Sequence, residues 1–520
     1  MSLLFRLACV LGLAASPFAA QQPFDVLIRG GRVLDGTGNP WYYADLGITG
    51  DRIVAMGNLS TARAATVIDA TGLFVLPGFV DAHSHAGGAL ATPELRGAVP
   101  LLMQGITTVL VNPDGGGPTD LVRQKQGYAG GLGVNIALMV PHGSVRFAVL
   151  GAADRAPTPD ELDRMRALVR AGMEAGAFGL SSGPFYAPGS FSNTDELVEL
   201  AKVAAAYGGA YSSHIRDESD YSIGLVAAVD EVITVAREAR LPGVVTHIKA
   251  LGPRVWGYGA ALVQRINQAR AQGIEVYADQ YPYDASQTGF AAALLPRWAE
   301  AGGAEALRSR FADPATLARI RADVVQNLDR RGGAARIRFG GAGENAGKTL
   351  AEVAATRKLD PVDAAIDILR RGAGGSIISF NMHEDDIRVL MRQPWTMTAS
   401  DGELPRMDIG FPHPRAYGTF TRKLGKYTRD DRVVGLEHAV RSMTSLPATV
   451  FRLTDRGVLR VGAVADVVAF DADRISDRAT YEVPHQLSEG IVHTWIGGRA
   501  SLRDSRVTGA LNGRVLDRRN

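Results

Sequence analysis

The chain predicts an α/β protein, a (β/α)₈ TIM-like barrel with a small β-sandwich domain built from both chain ends. Three observations lead there. Between about residues 77 and 450, short apolar runs alternate with amphipathic helical patterns, the mark of successive βα units around a parallel sheet. Eight such runs can be counted, and histidines or aspartates close several of them, as the mouth of a barrel requires. Short β-like segments flank this stretch on both sides, so a domain assembled from 21–76 and 451–520, with the barrel inserted between, is expected.

Taken in order, the first element is a leader at 1–20. Arg6 precedes an apolar run from Leu7 to Ala15, and Ser16-Pro17-Phe18-Ala19-Ala20 offers small residues for cleavage after Ala19 or Ala20. The run falls short of the roughly 18 residues that span a bilayer. Export to the periplasm or medium, with no membrane association after cleavage, is therefore expected. Cys9 is the single cysteine and lies in this leader, so the remaining chain has no thiol for a disulfide, a metal or a nucleophile.

Asp25–Arg29, Ala44–Ile48 and Arg52–Met56 then read as strands closed by Gly or Asp turns, and Ala465–Phe470 and Ile491–Gly498 as their late counterparts. The barrel strands are placed around 77–82, 107–112, 135–141, 177–181, 209–213, 243–247, 274–279 and 395–400. A doubly wound open sheet is the alternative, but no Gly-rich phosphate loop follows the first strand. The charged helical stretch at about 290–345 sits between strands seven and eight and reads as an inserted subdomain or lid.

Composition narrows the partners. Fifty-six basic against 54 acidic side chains leave a net charge of +2, which offers no basic surface for nucleic acid. A small-molecule substrate fits better.

The chemistry is carried by strand ends. Gly78-Phe79-Val80-Asp81-Ala82-His83-Ser84-His85 closes the first strand with two histidines at i and i+2, which face one way and can share a metal. His214, His247 and Asp401 close strands five, six and eight. One histidine alone is as readily a core residue, but in a barrel all these ends converge on one mouth. His142 ends the third strand and is expected either to stabilise an oxyanion or to brace its loop.

The longer motifs are similar to the N-acyl-D-amino-acid deacylase (D-aminoacylase) family of the amidohydrolase superfamily. They are Gln104-Gly105-Ile106-Thr107-Thr108-Val109, Gly176-Ala177-Phe178-Gly179-Leu180-Ser181-Ser182-Gly183, Ser213-His214-Ile215-Arg216-Asp217-Glu218, Asp279-Gln280-Tyr281-Pro282-Tyr283-Asp284-Ala285-Ser286 and Pro412-His413-Pro414-Arg415. The resemblance runs from about residue 24 to the C-terminus.

It implies a hydrolase that cleaves the amide of N-acyl-D-amino acids with a metal-activated water, using one or two divalent ions, zinc foremost. It implies Asp401 as proton acceptor, metal ligand or both, and Lys249, Tyr283, Ser286 and Arg415 as groups that bind the substrate. His214 and His247 are expected to hold the firmer ion, and His83 with His85 a weaker one. Family members place a cysteine ligand after the second strand; here Asp114 stands there, as a harder ligand, a bridge between ions or a plain turn residue. Hydantoinases and dihydroorotases carry a carbamylated lysine on the fourth strand, where this chain has Ser181 and Ser182. Activity on a cyclic amide, dipeptide or ester, or a non-catalytic binding protein of the same fold, remain the other readings.

Overall fold

The computed structural model describes residues 23–518, so the expected leader at 1–20, with Cys9, lies outside the described residues. Among the described residues no helix is long and apolar enough to cross a membrane.

Eight short strands frame the site: Phe79–Asp81, Ile106–Val111, Asn135–Leu138, Gly179–Ser182, Ala210–Ser213, Gly243–Val245, Val276–Gln280 and Thr396–Thr398, numbered one to eight below. Strands one, two and three pair in parallel. The third strand runs on into Val140–Pro141, which pairs with the fourth, and strands four to eight pair in parallel in chain order. Just past the ends of strands eight and one, Ser84 and Gly402 form a parallel bridge. The Asp401 amide donates to the His83 carbonyl at 2.9 Å, and the buried Asp81 carboxylate accepts from the Ser400 amide and hydroxyl at 2.8 and 2.5 Å.

These strands are buried on both faces, at every position but Tyr277. Ile106–Val111 is buried at all six positions, as a strand with side chains on one face and helices on the other must be. Val80, Leu110, Ala137, Phe178, Ala210, Val244 and Met397 share one inner cluster, while Phe79, Val109 and Ile136, each next to one of them and so of opposite parity, join the cluster beneath the helices. The helix Pro159–Glu174 shows how that outer layer is specified. Thr158 and Glu161 form a capping box, and Met165, Val169 and Met173 recur every four residues on its buried face.

The chain ends give one continuous nine-stranded sheet where the sequence suggested a sandwich of two. It is joined where Phe74–Pro77 pairs antiparallel with Val467–Phe470. Bulges at Ile28/Gly31 and Gly47/Ile48 bend the early strands. Val26, Ile48 and Ile68 thereby share a core with Val467, Ala469 and Trp495 from the other end.

Between strands seven and eight, Ser286–Gly289, Ser376–Ser379 and Ile337–Phe339 form an antiparallel sheet with Ser376–Ser379 in the middle. A separate apolar core accompanies it, drawn from residues between Phe290 and Ile377. It reaches beyond the charged helical stretch at 290–345 because its central strand comes later in the chain.

Lys423 is buried, and among the described residues no carboxylate oxygen lies within 4.0 Å of its ammonium. Lys423 donates to the hydroxyls of Thr398 and Ser442 at 2.9 and 2.8 Å, and burial pulls its ammonium down to about 7. An unfolded lysine titrates near 10.4. Between those values the unfolded chain binds the extra proton, so stability rises as pH increases through that window and is lowest at and below neutrality. In urea titrations at pH 7 and 9.5, the parent is expected to gain stability relative to Lys423→Met. An identical pH response in the two proteins would mean that Lys423 stays charged when folded.

Candidate metal centre and active site

Every ligand candidate lies just past a strand end, and three of them carry unusual backbone. Asp114, His247 and Asp401 have φ of 55°, 36° and 47°. Such left-handed geometry is uncommon outside glycine and commonest for Asn, Asp and His. It persists where the surroundings over-determine it, often at functional sites. Here the His247 amide is held by Asp279 Oδ1 at 2.6 Å and the Asp401 amide by the His83 carbonyl.

The Asp114 loop is pinned by close backbone approach. A Cβ on Gly183 would sit 2.3 Å from the Asp114 carbonyl oxygen, and one on Gly115 would sit 2.9 Å from the Gly143 nitrogen. Both contacts are backbone to backbone, so no side chain can move aside. Gly183→Ala is therefore expected to displace the loop and lower the bound metal per chain, read by elemental analysis. Unchanged metal content would show that Asp114 tolerates the shift.

The side chains gather into two groups that share Asp114. His83, His85, Asp114 and Asp401 offer ligand atoms within 4.8 Å of one another, and so do Asp114, His214 and His247. Asp114 Oδ1 lies 3.4 Å from His83 Nε2 and 3.7 Å from His247 Nε2, and Oδ2 lies 3.3 Å from His85 Nε2 and 3.8 Å from His214 Nδ1. Asp401 Oδ1 is 3.4 and 3.1 Å from His83 and His85. Both nitrogens of His83, both of His214 and Asp114 Oδ1 are buried without a hydrogen-bond partner. Buried polar atoms left unpaired are costly. Imidazole and carboxylate donors turned on common points, too far apart to satisfy one another, fit a divalent ion such as zinc.

The electrostatics agree. Burial alone would push the Asp114 carboxyl up and the His83 and His85 imidazoles down. Asp114 is nevertheless held well below the usual carboxylate range by His83, His214 and His247. Paired with Asp114 and Asp401, His83 is raised well above its ordinary value and His85 to about 9. The two carboxylates thus concentrate positive charge here, and a divalent ion competes with the imidazole protons for the same atoms.

Around these groups opens a cavity of about 930 Å³, lined among others by His85, Asp114, His214, His247, Lys249, Ser286, Asp401 and Arg415. Lys249 lies 2.7 Å from His247 Nδ1 and donates to Glu218 Oε1 at 2.5 Å. Arg415 donates to Asp401 Oδ2 at 2.7 Å and lies over the Tyr281 ring. The Ser286 hydroxyl donates to Asn381 Oδ1 at 3.0 Å.

Two expected residues are not brought here. Tyr283 is buried away from the cavity, with its hydroxyl at Asp477 and the Pro414 carbonyl; Tyr281 lines the cavity instead. The chain leaves strand seven at Gln280 and turns through Pro282, so strand alternation no longer decides which way these rings face. His142 is fully buried, and its Nε2 lies 2.8 Å from Glu196, which also pairs with Arg146. Of its two sequence roles the geometry gives it the loop brace, because the next residues, Gly143 and Ser144, line the cavity and the Ser144 amide donates to the Gly115 carbonyl at 3.0 Å.

Ser181 and Ser182 are likewise structural: their hydroxyls meet the Asn112 carbonyl at 2.6 Å and Tyr211 at 2.7 Å. Glu218 was missed as a site residue. It stands four residues after His214, between Lys249 and the two imidazoles of strands five and six. An acidic residue at that interval from a strand-end histidine was the available signal.

Residues 66–501 match the model of the Amidohydrolase family. The chain belongs to that family. Among its amidohydrolase relatives, N-acyl-D-glutamate deacylase of Alcaligenes xylosoxydans xylosoxydans is 38% identical over 504 residues, covering 92% of this chain and 94% of the relative. A solved N-acyl-D-glutamate deacylase from Bordetella bronchiseptica, complexed with zinc and a phosphonate mimic of the reaction's tetrahedral intermediate, superposes with a TM-score of 0.80. It is 35% identical, and the match covers 95% of this chain and all of that one. A D-aminoacylase, studied for the role of its binuclear metal centre, gives a TM-score of 0.81 at 32% identity, over 95% of this chain and all of that one.

Proposed function

We propose that this amidohydrolase hydrolyses the amide bond of N-acyl-D-amino acids at a zinc site of one or two ions. The observation that carries the reading is the sharing of Asp114 by two metal-ligand groups in a cavity also lined by Lys249 and Arg415. His214, His247 and Asp114 would hold one ion, and His83, His85, Asp114 and Asp401 another. A divalent ion so held supplies Lewis acidity, acidifying water and polarising a carbonyl.

The chain's own groups do the rest. Burial would raise the Asp401 carboxyl, but Arg415, His247, His83 and His85 outweigh it and hold the group well below the usual carboxylate range. Asp401 is therefore ionised and able to accept a proton at neutral pH. It takes that proton from water as the water oxygen bonds to the acyl carbon. It returns the proton to nitrogen as the C–N bond breaks, releasing the acid and the amine. Lys249 and Arg415 provide cations for the substrate's α-carboxylate, and Ser286 a hydroxyl.

The same reading makes the eight paired strands a closed (β/α)₈ barrel over 77–450 with a subdomain inserted between strands seven and eight. The residues of 21–76 and 451–520 then form the second, β domain. The run from Arg6 to Ala20 supports export to the periplasm or medium. N-terminal sequencing of the exported protein is expected to begin at Ala20 or Gln21, and a chain retained in the cell with Met1 intact would overturn export.

The deciding experiment is metal analysis of purified protein with a hydrolysis screen of N-acyl-D- and N-acyl-L-amino acids. D-selective amine release, lost to a chelator and restored by zinc, is expected. Full activity in metal-free protein would overturn the reading.

A further inference from the structure

The cations around the cavity differ in how they are paired. Lys249 is matched by Glu218 and Arg415 by Asp401. Arg331 also lines the cavity and is 1% exposed, yet no carboxylate oxygen lies within 4.0 Å of it among the described residues. Its Nη1 donates to the Ser379 hydroxyl at 3.2 Å, and its Nε has no partner. It sits at the C-cap of the helix Pro314–Arg330, whose end offers only about half a negative charge.

Other donors nearby are also idle. Asn381 Nδ2 and the Tyr221 hydroxyl are buried without partners. Tyr221's ring lies 6.0 Å from the Arg331 guanidinium, and Asn381 is tied to Ser286, which pairs with Ser379 across the inserted sheet. A buried guanidinium without a counter-ion is costly unless something negative meets it.

Position separates Arg331 from the other cations. Lys249 and Arg415 touch ion-holding residues, His247 and Asp401, whereas Arg331 touches a hydroxyl of the inserted sheet. The α-carboxylate of an N-acyl amino acid is one carbon from the amide nitrogen, so it falls to the cations beside the ion-holding residues. We propose that Arg331 receives a carboxylate on the substrate's side chain, which makes N-acyl amino acids with acidic side chains the preferred class. This rests on the deacylase reading above and names its substrate.

The test compares N-acetyl-D-glutamate with its uncharged isostere N-acetyl-D-glutamine, using the zinc-loaded protein. The parent is expected to favour the acid in kcat/KM, and Arg331→Gln to reduce that ratio by about 10- to 100-fold, the range for losing a hydrogen bond to a charged group. Arg331→Lys should restore part of it. A parent ratio near one overturns the proposal whether or not Arg331→Gln folds. Equal losses on both substrates overturn it too, because they place Arg331 at the α-carboxylate. Calorimetric binding of D-glutamate against D-glutamine needs no turnover. A protein that hydrolyses no N-acyl-D-amino acid yet binds D-glutamate through Arg331 would sink the deacylase reading and keep this acid site; active protein with no acid preference would do the reverse.

Discussion

Asp114→Ala is expected to lower the metal content of both groups and reduce turnover by about 10³-fold or more, beyond the 10- to 100-fold that losing a group behind a metal ligand costs. The size follows from position, since each carboxylate oxygen of Asp114 lies near one imidazole of each group. Alanine also meets a backbone penalty at φ 55° of roughly 1–2 kcal/mol. Asp114→Asn separates the two effects, because asparagine tolerates that geometry while giving up the charge. Elemental analysis and kinetics on both variants decide the matter, with thermal melting to score folding. If Asp114→Asn and Asp114→Ala both keep two ions and parental turnover, the metals rest on histidines and Asp401 alone. Asp114→Cys should still bind zinc but become sensitive to peroxide, as an accessible thiolate would.

The second large effect is expected at Asp401. Asp401→Asn preserves shape and the Arg415 contact but cannot accept a proton, so kcat should fall by about 10²- to 10⁴-fold. Because Asp401 belongs only to the group with His83 and His85, the ion on Asp114, His214 and His247 should remain. Loss of rate with that ion retained marks Asp401 as the proton carrier. Loss of all metal would make it a structural ligand first, and normal turnover would remove it from the chemistry.

Much of this was legible in the sequence because the key residues end apolar runs. His83, His85, His214, His247 and Asp401 each follow a run that is buried in the structure, and a parallel arrangement brings such ends together. Asp114 could be placed by its position after strand two, but its contact with both groups depends on a left-handed turn that no local pattern reveals. Tyr283 was expected from the motif shared with the family, and both it and Tyr281 lie beyond the regular strand, where period-two spacing does not tell which ring faces the cavity. Arg331 is invisible to such reading: it ends a charged helix, and its burial and its bond to Ser379, 48 residues later, appear only in the folded chain. The late extent of the inserted unit escaped for the same reason, its central strand, Ser376–Ser379, being only four residues long.

The sheet shared by the two chain ends has a consequence for how the molecule is made. Phe74–Pro77 finds its neighbour Val467–Phe470 almost four hundred residues later, so this sheet cannot be completed until Phe470 has left the ribosome. Long-range pairing of this kind is slow. In the interval the early strands present an unpaired edge, and such edges invite pairing with other chains. These early strands are thus made long before they find their place, and their protection during that wait falls to whatever binds the nascent chain.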